Sequence, residues 1–302
     1  MIEKIIDISE GPAKLNSKYE QLIITHNGES HSIPINEISV VLISTPTVSI
    51  SSGVISLMCK NNGMIVVCDE KYMPVGVLLP YETNYVQQER FYAQIQASMP
   101  IKKQLWKQII TSKITSQGVV LKKMTGSDKG LFYYSSKVAS GDSANIEGYA
   151  ARIYWKELFG EEFRRNPEEI GINSMLNYGY TILRAMTTRA ICSAGLHPSF
   201  GIHHHNKYDS YCLADDLMEP FRPIVDEYVF NSIKEKPADI FLTKETKRNL
   251  VKHILDKEMY CQGQIRKIND ILNHYAVSLV GVYLGRKKSV MLPKWEDDRG
   301  KE

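Results

Sequence analysis

The segment from Gly201 to Pro220 gathers more residues able to do chemistry than any other stretch of the sequence. Histidines and a lysine stand at its start and acidic residues at its end: His203, His204, His205, Lys207, Asp215, Asp216 and Glu219. Residues three or four apart share one face of a helix, so Glu219 would share a face with Asp216 or with Asp215. Two carboxylates on one face repel unless a cation lies between them. With a neutral imidazole nearby this donor set suits Mn²⁺, and Mg²⁺ tolerates the oxygens better.

Two plainer interpretations of this segment stay open on the residues alone. Three consecutive histidines are common in polar turns, and Asp-Asp-x-x-Glu is also a solvated helix start. A closed structural zinc site is not indicated, because the sequence has neither His-Glu-x-x-His nor a Cys-x-x-Cys pair. The pattern therefore predicts a divalent-metal site without excluding a solvated turn.

A further acidic residue, Glu147, lies far upstream among small and apolar residues. Gly148, Ala150 and Ala151 permit close packing against a neighbouring helix, so Glu147 is a candidate for partial burial. A buried glutamate needs a partner, because an unpaired carboxylate is costly to remove from water. The alternative is a glutamate that faces solvent in the first turn of a helix, where the helix dipole favours it.

The elements that must position these residues fall into two regions. Up to about Pro80, short β-type runs alternate with turn residues, and Asn27-Gly28 between two such runs is a hairpin signal. After Pro80 the spacing of apolar residues is helical. We predict an α+β fold of two domains, a small β-rich domain over residues 1–82 and a larger all-helical catalytic domain over residues 83–302.

Two long apolar helices are expected to form the core of the second region. The first runs from Ile101 to about Leu121, and the second from Asn173 to Ala194. Arg184 and Arg189 interrupt the second helix. Each could hold a phosphate group, although pairing with a local carboxylate is at least as common. Further helices are predicted at Gly53–Lys60, Tyr85–Ala97, Leu131–Ser140, Ala144–Gly160, Ile224–Ile233, Thr243–Met259 and Ile265–Leu284.

Composition sets the outer limits. The formal net charge of +3 neither requires nor excludes nucleic acid, so a basic surface would have to be local. The five cysteines are an odd number and widely separated, which favours a reducing compartment. The amino terminus carries charge where a signal peptide needs an apolar core, and no stretch reaches the ~18 apolar residues of a membrane span. We expect a cytoplasmic protein with no membrane partner.

Taken together, several motifs resemble the CRISPR-associated integrases of the spacer-acquisition module, the Cas1 family. They occur in the family's order and cover nearly the whole chain: Ile146-Glu147-Gly148-Tyr149-Ala150-Ala151 followed by Arg152-Ile153-Tyr154, Leu176-Asn177-Tyr178-Gly179-Tyr180, Gly195-Leu196-His197-Pro198 leading to Gly201-Ile202-His203-His204, and Asp216-Leu217-Met218-Glu219-Pro220-Phe221-Arg222-Pro223. The last motif looks most like the branch that accompanies RNA-guided single-protein effector nucleases.

The resemblance implies a catalytic set of Glu147, His204 and Glu219 that binds a divalent metal, Mg²⁺ or Mn²⁺. Asp216 is an additional acidic neighbour. Many relatives carry aspartate where Glu219 stands, so the carboxylate that touches the metal is open between the two. Lys207 and Arg222 are expected to contact DNA phosphates beside the metal, with plain surface charge as the alternative for both.

The resemblance also implies an activity and an assembly. The expected reaction joins 3′-hydroxyl ends of short foreign DNA fragments to a repeat array by transesterification, on double-stranded DNA. The expected assembly is a homodimer formed through the β-rich domain, with two dimers bridged by a small companion protein and the effector nuclease as a further partner. One alternative is an endonuclease that hydrolyses branched, single-stranded or double-stranded DNA with the same residues. The other is a non-catalytic DNA-binding scaffold in which the His-Asp-Glu cluster is structural.

Overall fold

Two four-stranded sheets and one helix form the amino-terminal part of the computed structural model, which describes residues 4–69, 74–80, 86–166, 168–235 and 241–295. In chain order the elements are β1 (Lys4–Ile8), β2 (Ala13–Lys18), β3 (Gln21–His26), β4 (Glu29–Pro34), β5 (Ile38–Ile43), β6 (Val48–Ile50), α1 (Ser52–Lys60), β7 (Met64–Cys68) and β8 (Pro74–Leu78). One sheet has the order β1-β5-β7-β8 and the other the order β4-β3-β2-β6. The β-rich start predicted from the sequence is confirmed.

In the first sheet, strand β5 is buried on both faces. Strands β1, β5 and β7 run parallel, and β8 pairs antiparallel to β7. Side chains of a strand alternate between its two faces. On β5, Val40 and Leu42 join the core of the helical part, whereas Val41 and Ile43 join a second core beneath the other sheet and α1. One sheet therefore contributes to both cores.

The rest of the described chain is mainly helical. Its helices are α2 (Gln87–Ile95), α3 (Met99–Thr125), α4 (Leu131–Lys137), α5 (Ile146–Phe159), α6 (Ile172–Ser193), α7 (Cys212–Met218), α8 (Arg222–Glu235), α9 (Lys244–Asp256) and α10 (Ile268–Tyr283). The two predicted core helices correspond to α3 and α6. Within the described ranges, none of these helices has the length and apolarity needed to cross a lipid bilayer.

Helices α3 and α6 provide most of the framework of the site. The apolar stripe of α3 is buried as predicted, at Leu105, Trp106, Ile109, Ile110 and Ile114. Helix α3 packs against α4, α5 and α8, and α6 packs against α7, α8, α10 and strands β5 and β7. Helix α3 also contacts α7, so it packs against both elements on which the catalytic residues are expected.

One feature of the predicted fold is wrong. The second region is not all-helical, because β9 (Glu258–Cys261) and β10 (Gln264–Lys267) form an antiparallel hairpin. Gln262 and Gly263 both adopt positive φ at its turn, a conformation that ends a helix and matches a tight hairpin. The predicted boundary between residues 82 and 83 lies outside the described residues.

Candidate functional site

Glu147 and Glu219 meet at one cation, the ammonium group of Lys113 on α3. Lys113 Nζ lies 2.6 Å from Glu147 Oε1 and 2.6 Å from Glu219 Oε2. The lysine side chain is 12% exposed, and those of the two glutamates are 25% and 6% exposed. Burial alone would lower the pKa of Lys113, but the carboxylates of Glu219 and Glu147 raise it above its ordinary value. The lysine is therefore held charged between the two acids.

The start of α5 places Glu147 at this point. Asn145 caps the helix, and its side chain accepts a hydrogen bond from the backbone N–H of Gly148. Asp142 accepts from the backbone N–H groups of Ile146 and Glu147 at 2.9 and 3.0 Å. Asp142 and Asn145 thus both accept hydrogen bonds from the start of α5. Their bonds to the first-turn amides fix where the Glu147 side chain leaves the helix.

Glu219 follows α7 directly, in a short 3₁₀ turn that runs into α8. Its Oε1 accepts a hydrogen bond from Arg222 Nε at 2.9 Å. Burial opposes ionisation of Glu219, but the charges of Arg222 and Lys113 outweigh it and lower its pKa to about 2. Glu219 Oε2 lies beside the lysine ammonium without making a hydrogen bond of good geometry to any described residue. Among the described residues, this buried carboxylate oxygen is therefore held chiefly by its ionic contact with Lys113.

His204 is held by Asp216, which is fully buried on α7. The carboxylate accepts from the backbone N–H groups of Ile202, His203 and His204, at 2.6, 2.9 and 3.2 Å. It also lies 2.6 Å from His204 Nδ1. The hydrogen bond to Asp216 raises the pKa of His204, against the opposite effect of burial. With Nδ1 bonded to a carboxylate, the Nε2 nitrogen is the one that can serve as a metal ligand.

The turn that carries His204 has room only for glycine at Gly201. A Cβ built there would lie 2.2 Å from the carbonyl oxygen of His204 and 3.0 Å from Asp216 Oδ2. On the other side, Trp106 of α3 stacks on the His203 ring, with centroids 4.1 Å apart, and meets the His204 ring edge-on at 5.7 Å. Helix α3 thus supports the histidine turn through Trp106 and the two acids through Lys113.

The chemistry of this donor set fits a divalent ion. Two carboxylates already share one cation, Glu219 offers an unsatisfied oxygen, and His204 offers Nε2. In the described part of the chain, however, no three acidic, histidine or cysteine side chains lie close enough together to hold a metal ion. The structure therefore brings Glu147 and Glu219 to one point. His204 lies near enough to Glu219 for their charges to interact.

The other predicted site residues differ in their surroundings. Arg184 forms a bidentate pair with Asp215, at 2.7 and 2.8 Å, and Arg189 donates to the carbonyl oxygen of Asn62. Arg222 lies beside Glu219 and over the ring of Tyr180. Lys207 is exposed beside the histidine turn. Arg222 and Lys207 therefore remain the candidates near the acids and the histidine, and Arg184 pairs with a carboxylate.

Lys113 was missed by the sequence reasoning. Its signal was a charged residue on the buried side of α3, seven positions after Trp106 and therefore on the same helix face. A buried lysine requires carboxylate partners. The sequence could have indicated that Lys113 has carboxylate partners. It could not identify them, because Glu147 and Glu219 come from distant segments.

A second buried charge cluster adjoins the site. Asp226 on α8 accepts hydrogen bonds from the hydroxyl groups of Tyr154 and Tyr180, the first at 3.0 Å. Burial raises the pKa of Asp226 to about 7, although both tyrosines and the nearby Arg222 act in the opposite direction. Tyr180 also lies under Arg222, so this cluster supports the arginine that pairs with Glu219.

Several known proteins are similar to this chain in sequence or in fold. The sequence profile of the family described as CRISPR associated protein Cas1 matches residues 7–258. A CRISPR-associated endonuclease Cas1 of Neisseria meningitidis serogroup C (strain 8013) is 36% identical over 242 residues, covering 79% of each chain.

Two solved structures share the fold. A casposase bound to integration product has a TM-score of 0.80 at 21% identity and covers 95% of this chain and 92% of its own. A chain of a Cas6-RT-Cas1–Cas2 complex has a TM-score of 0.75 at 18% identity and covers 95% of this chain and 35% of its own. At these identities the likeness concerns the fold alone.

Proposed function

Because the chain belongs to the Cas1 family of CRISPR-associated proteins, we propose that it is a metal-dependent DNA integrase of CRISPR adaptation. It joins 3′-hydroxyl ends of short foreign DNA fragments to the repeat array by transesterification. The observation that carries the proposal is the meeting of Glu147 and Glu219, from distant segments, at one cation position beside His204. The named endonuclease activity of the Neisseria relative and the integration product bound by the casposase support it.

The proposed roles follow from the side chains. Glu147 and Glu219 would hold Mg²⁺ or Mn²⁺ through carboxylate oxygens, and His204 through Nε2. When bound, such an ion makes a hydroxyl more nucleophilic and neutralises the charge that develops at phosphorus. Asp216 fixes the tautomer and direction of His204 instead of acting as a ligand. Arg222 and Lys207 are proposed to contact phosphate oxygens, which a guanidinium or ammonium group binds well.

The partners are proposed on the same basis. Double-stranded DNA is the substrate, both as fragment and as repeat array. The Cas1–Cas2 complex among the similar structures supports a small companion protein. We place the homodimer contact in the β-rich region, residues 1–82, with two dimers bridged by the companion. An RNA-guided effector nuclease is a further proposed partner, from the resemblance of the segment around Glu219.

A strand-transfer assay tests the proposal. A labelled duplex with free 3′-hydroxyl ends should join a repeat-containing plasmid in Mg²⁺ or Mn²⁺, and the same duplex with blocked 3′ ends should not. Glu147→Ala should abolish joining while DNA binding persists. Glu161→Ala, at an exposed acid shortly after the end of α5, is the matched control and should join normally.

The outcomes separate the alternatives. Cleavage that continues with blocked 3′ ends and stops in Glu147→Ala identifies an endonuclease, the activity named for the Neisseria relative. Binding and joining that both persist in Glu147→Ala contradict the catalytic assignment. If the unaltered protein binds DNA but neither joins nor cleaves it under any of these conditions, the protein is a scaffold.

A further inference from the structure

Lys113 has a position that the proposed function leaves unexplained. Its ammonium lies 2.6 Å from an oxygen of each glutamate, where a cation shared by the two carboxylates belongs. The contact with Glu219 Oε2 is ionic and lacks good hydrogen-bond geometry.

The charges in the cluster balance without any metal. Glu147 and Glu219 contribute two negative charges, and Lys113 and Arg222 contribute two positive ones. A divalent ion bound to the same carboxylates adds two positive charges a few ångströms from the lysine. An ammonium and a divalent ion within contact distance of the same two oxygens would repel each other. Binding of the ion therefore opposes the two contacts of the lysine.

We propose that Lys113 is a built-in counter-ion that occupies the divalent-ion position in the metal-free protein and is displaced when the ion binds. The inference rests on the proposed function, because it takes Glu147 and Glu219 as metal ligands. In the metal-free state Lys113 keeps the two acids together and prevents their mutual repulsion. The site with both carboxylates bound then holds a divalent cation. The displaced ammonium group is free to contact a phosphate group of bound DNA.

The first experiment measures Mn²⁺ binding by calorimetry in the full chain without DNA. Lys113→Met removes the competing charge and keeps most of the side-chain volume, so Mn²⁺ should bind at least about ten-fold more tightly than to the unaltered protein. Lys257→Met is the matched control, because Lys257 is a half-buried lysine paired with Glu227 at 2.9 Å. It should leave Mn²⁺ affinity unchanged.

Thermal melting in a chelator provides a second readout from the same proteins. Lys113→Met leaves the carboxylates of Glu147 and Glu219 without the cation that they share, so its melting temperature should fall in chelator and recover on addition of Mn²⁺. The recovery should exceed the shift that Mn²⁺ causes in the unaltered protein. Lys257→Met should lose stability equally with and without Mn²⁺.

A measurement on the unaltered protein covers the case in which Lys113→Met does not fold. Amine acylation, followed residue by residue by mass spectrometry, reports how free each lysine is. Saturating Mn²⁺ should increase acylation of Lys113 several-fold and leave Lys257 unchanged.

The displacement is overturned if Mn²⁺ does not change the acylation of Lys113, or if Lys113→Met binds Mn²⁺ no more tightly than the unaltered protein. Failure of the unaltered protein to bind Mn²⁺ overturns the proposed function itself, and Glu147→Gln shows whether any observed binding uses this site.

Discussion

His204 depends on one carboxylate for its position. Asp216 accepts three backbone hydrogen bonds from the histidine turn and one from the His204 ring. The sequence identified Asp216 as acidic and close to Glu219, and left open which of the two touches the metal. We propose that Asp216 positions His204, since its oxygens face the turn that carries that histidine. Side chains that orient a metal-binding imidazole in this way commonly matter almost as much as the ligands.

Gly201→Ala tests that turn without changing any charged group. The new methyl group would lie against the His204 carbonyl and Asp216, so the turn must shift and carry His204 with it. We expect strand transfer to fall by roughly 10–100-fold, as for other losses of ligand support. Gly76→Ala is the control, because its Cβ meets only ordinary contact with Val67. Equal activity of the two variants would contradict the tight fit at Gly201.

Asp226 gives the protein a pH dependence with a definite sign. Burial gives Asp226 a folded-state pKa of about 7, above the ordinary aspartate value of 3.8, so between these values the folded state binds more protons than the unfolded state. The contribution of Asp226 to the free energy of unfolding therefore falls as pH rises through this range. Above about pH 7 a buried charge remains, hydrogen-bonded to two tyrosines.

Asp226→Asn removes this titration and keeps the shape of the side chain. The unfolding free energy of the variant, relative to the unaltered protein, should increase by at least about 1 kcal/mol between pH 4 and pH 7. Denaturant melts at several pH values measure the difference. A difference that stays constant or shrinks over this range would show that Asp226 is not held with a raised pKa.

At the level of elements, the cap of α5 determines where Glu147 points. Asn145 adopts φ 52° and bonds the Gly148 amide, a combination that asparagine tolerates well. Asn145→Ala should lower the unfolding free energy by about 1–2 kcal/mol and reduce strand transfer as well. Thr243→Ala removes a similar cap from α9, where Thr243 accepts from the Thr246 amide, and should cost stability alone. If both variants retain full activity, the cap does not orient Glu147.

Periodicity predicted the elements better than it predicted the site. The stripes of α3 and α6 were recognised because apolar residues at helical spacing report burial directly. The β9–β10 hairpin was missed because its strands are short and flank a single Gln262-Gly263 turn. Lys113 was missed for another reason: a charge on a buried helix face has meaning only through its partners, and Glu147 and Glu219 reach it through folding.

In the whole molecule, the sheet containing β5 joins the core of the helical part to the core of the amino-terminal strands. The sequence pattern assigns these two parts to separate domains. Val40 and Leu42 pack with the helices, and Val41 and Ile43 pack with the amino-terminal strands. Removing either part would expose one apolar face of this sheet. We therefore expect calorimetric unfolding in a single transition. Two well-separated transitions would show that the β-rich and helical parts fold independently.

The proposed reaction requires that Glu147 and Glu219 form one cation site. Anomalous diffraction from crystals grown with Mn²⁺ shows where the ion binds. We predict one strong peak within direct ligand distance of both carboxylates and of His204 Nε2, with the Lys113 ammonium moved away from its position between them. A Lys113 ammonium that remains between the two carboxylates, with manganese bound elsewhere or not at all, would contradict the central claim.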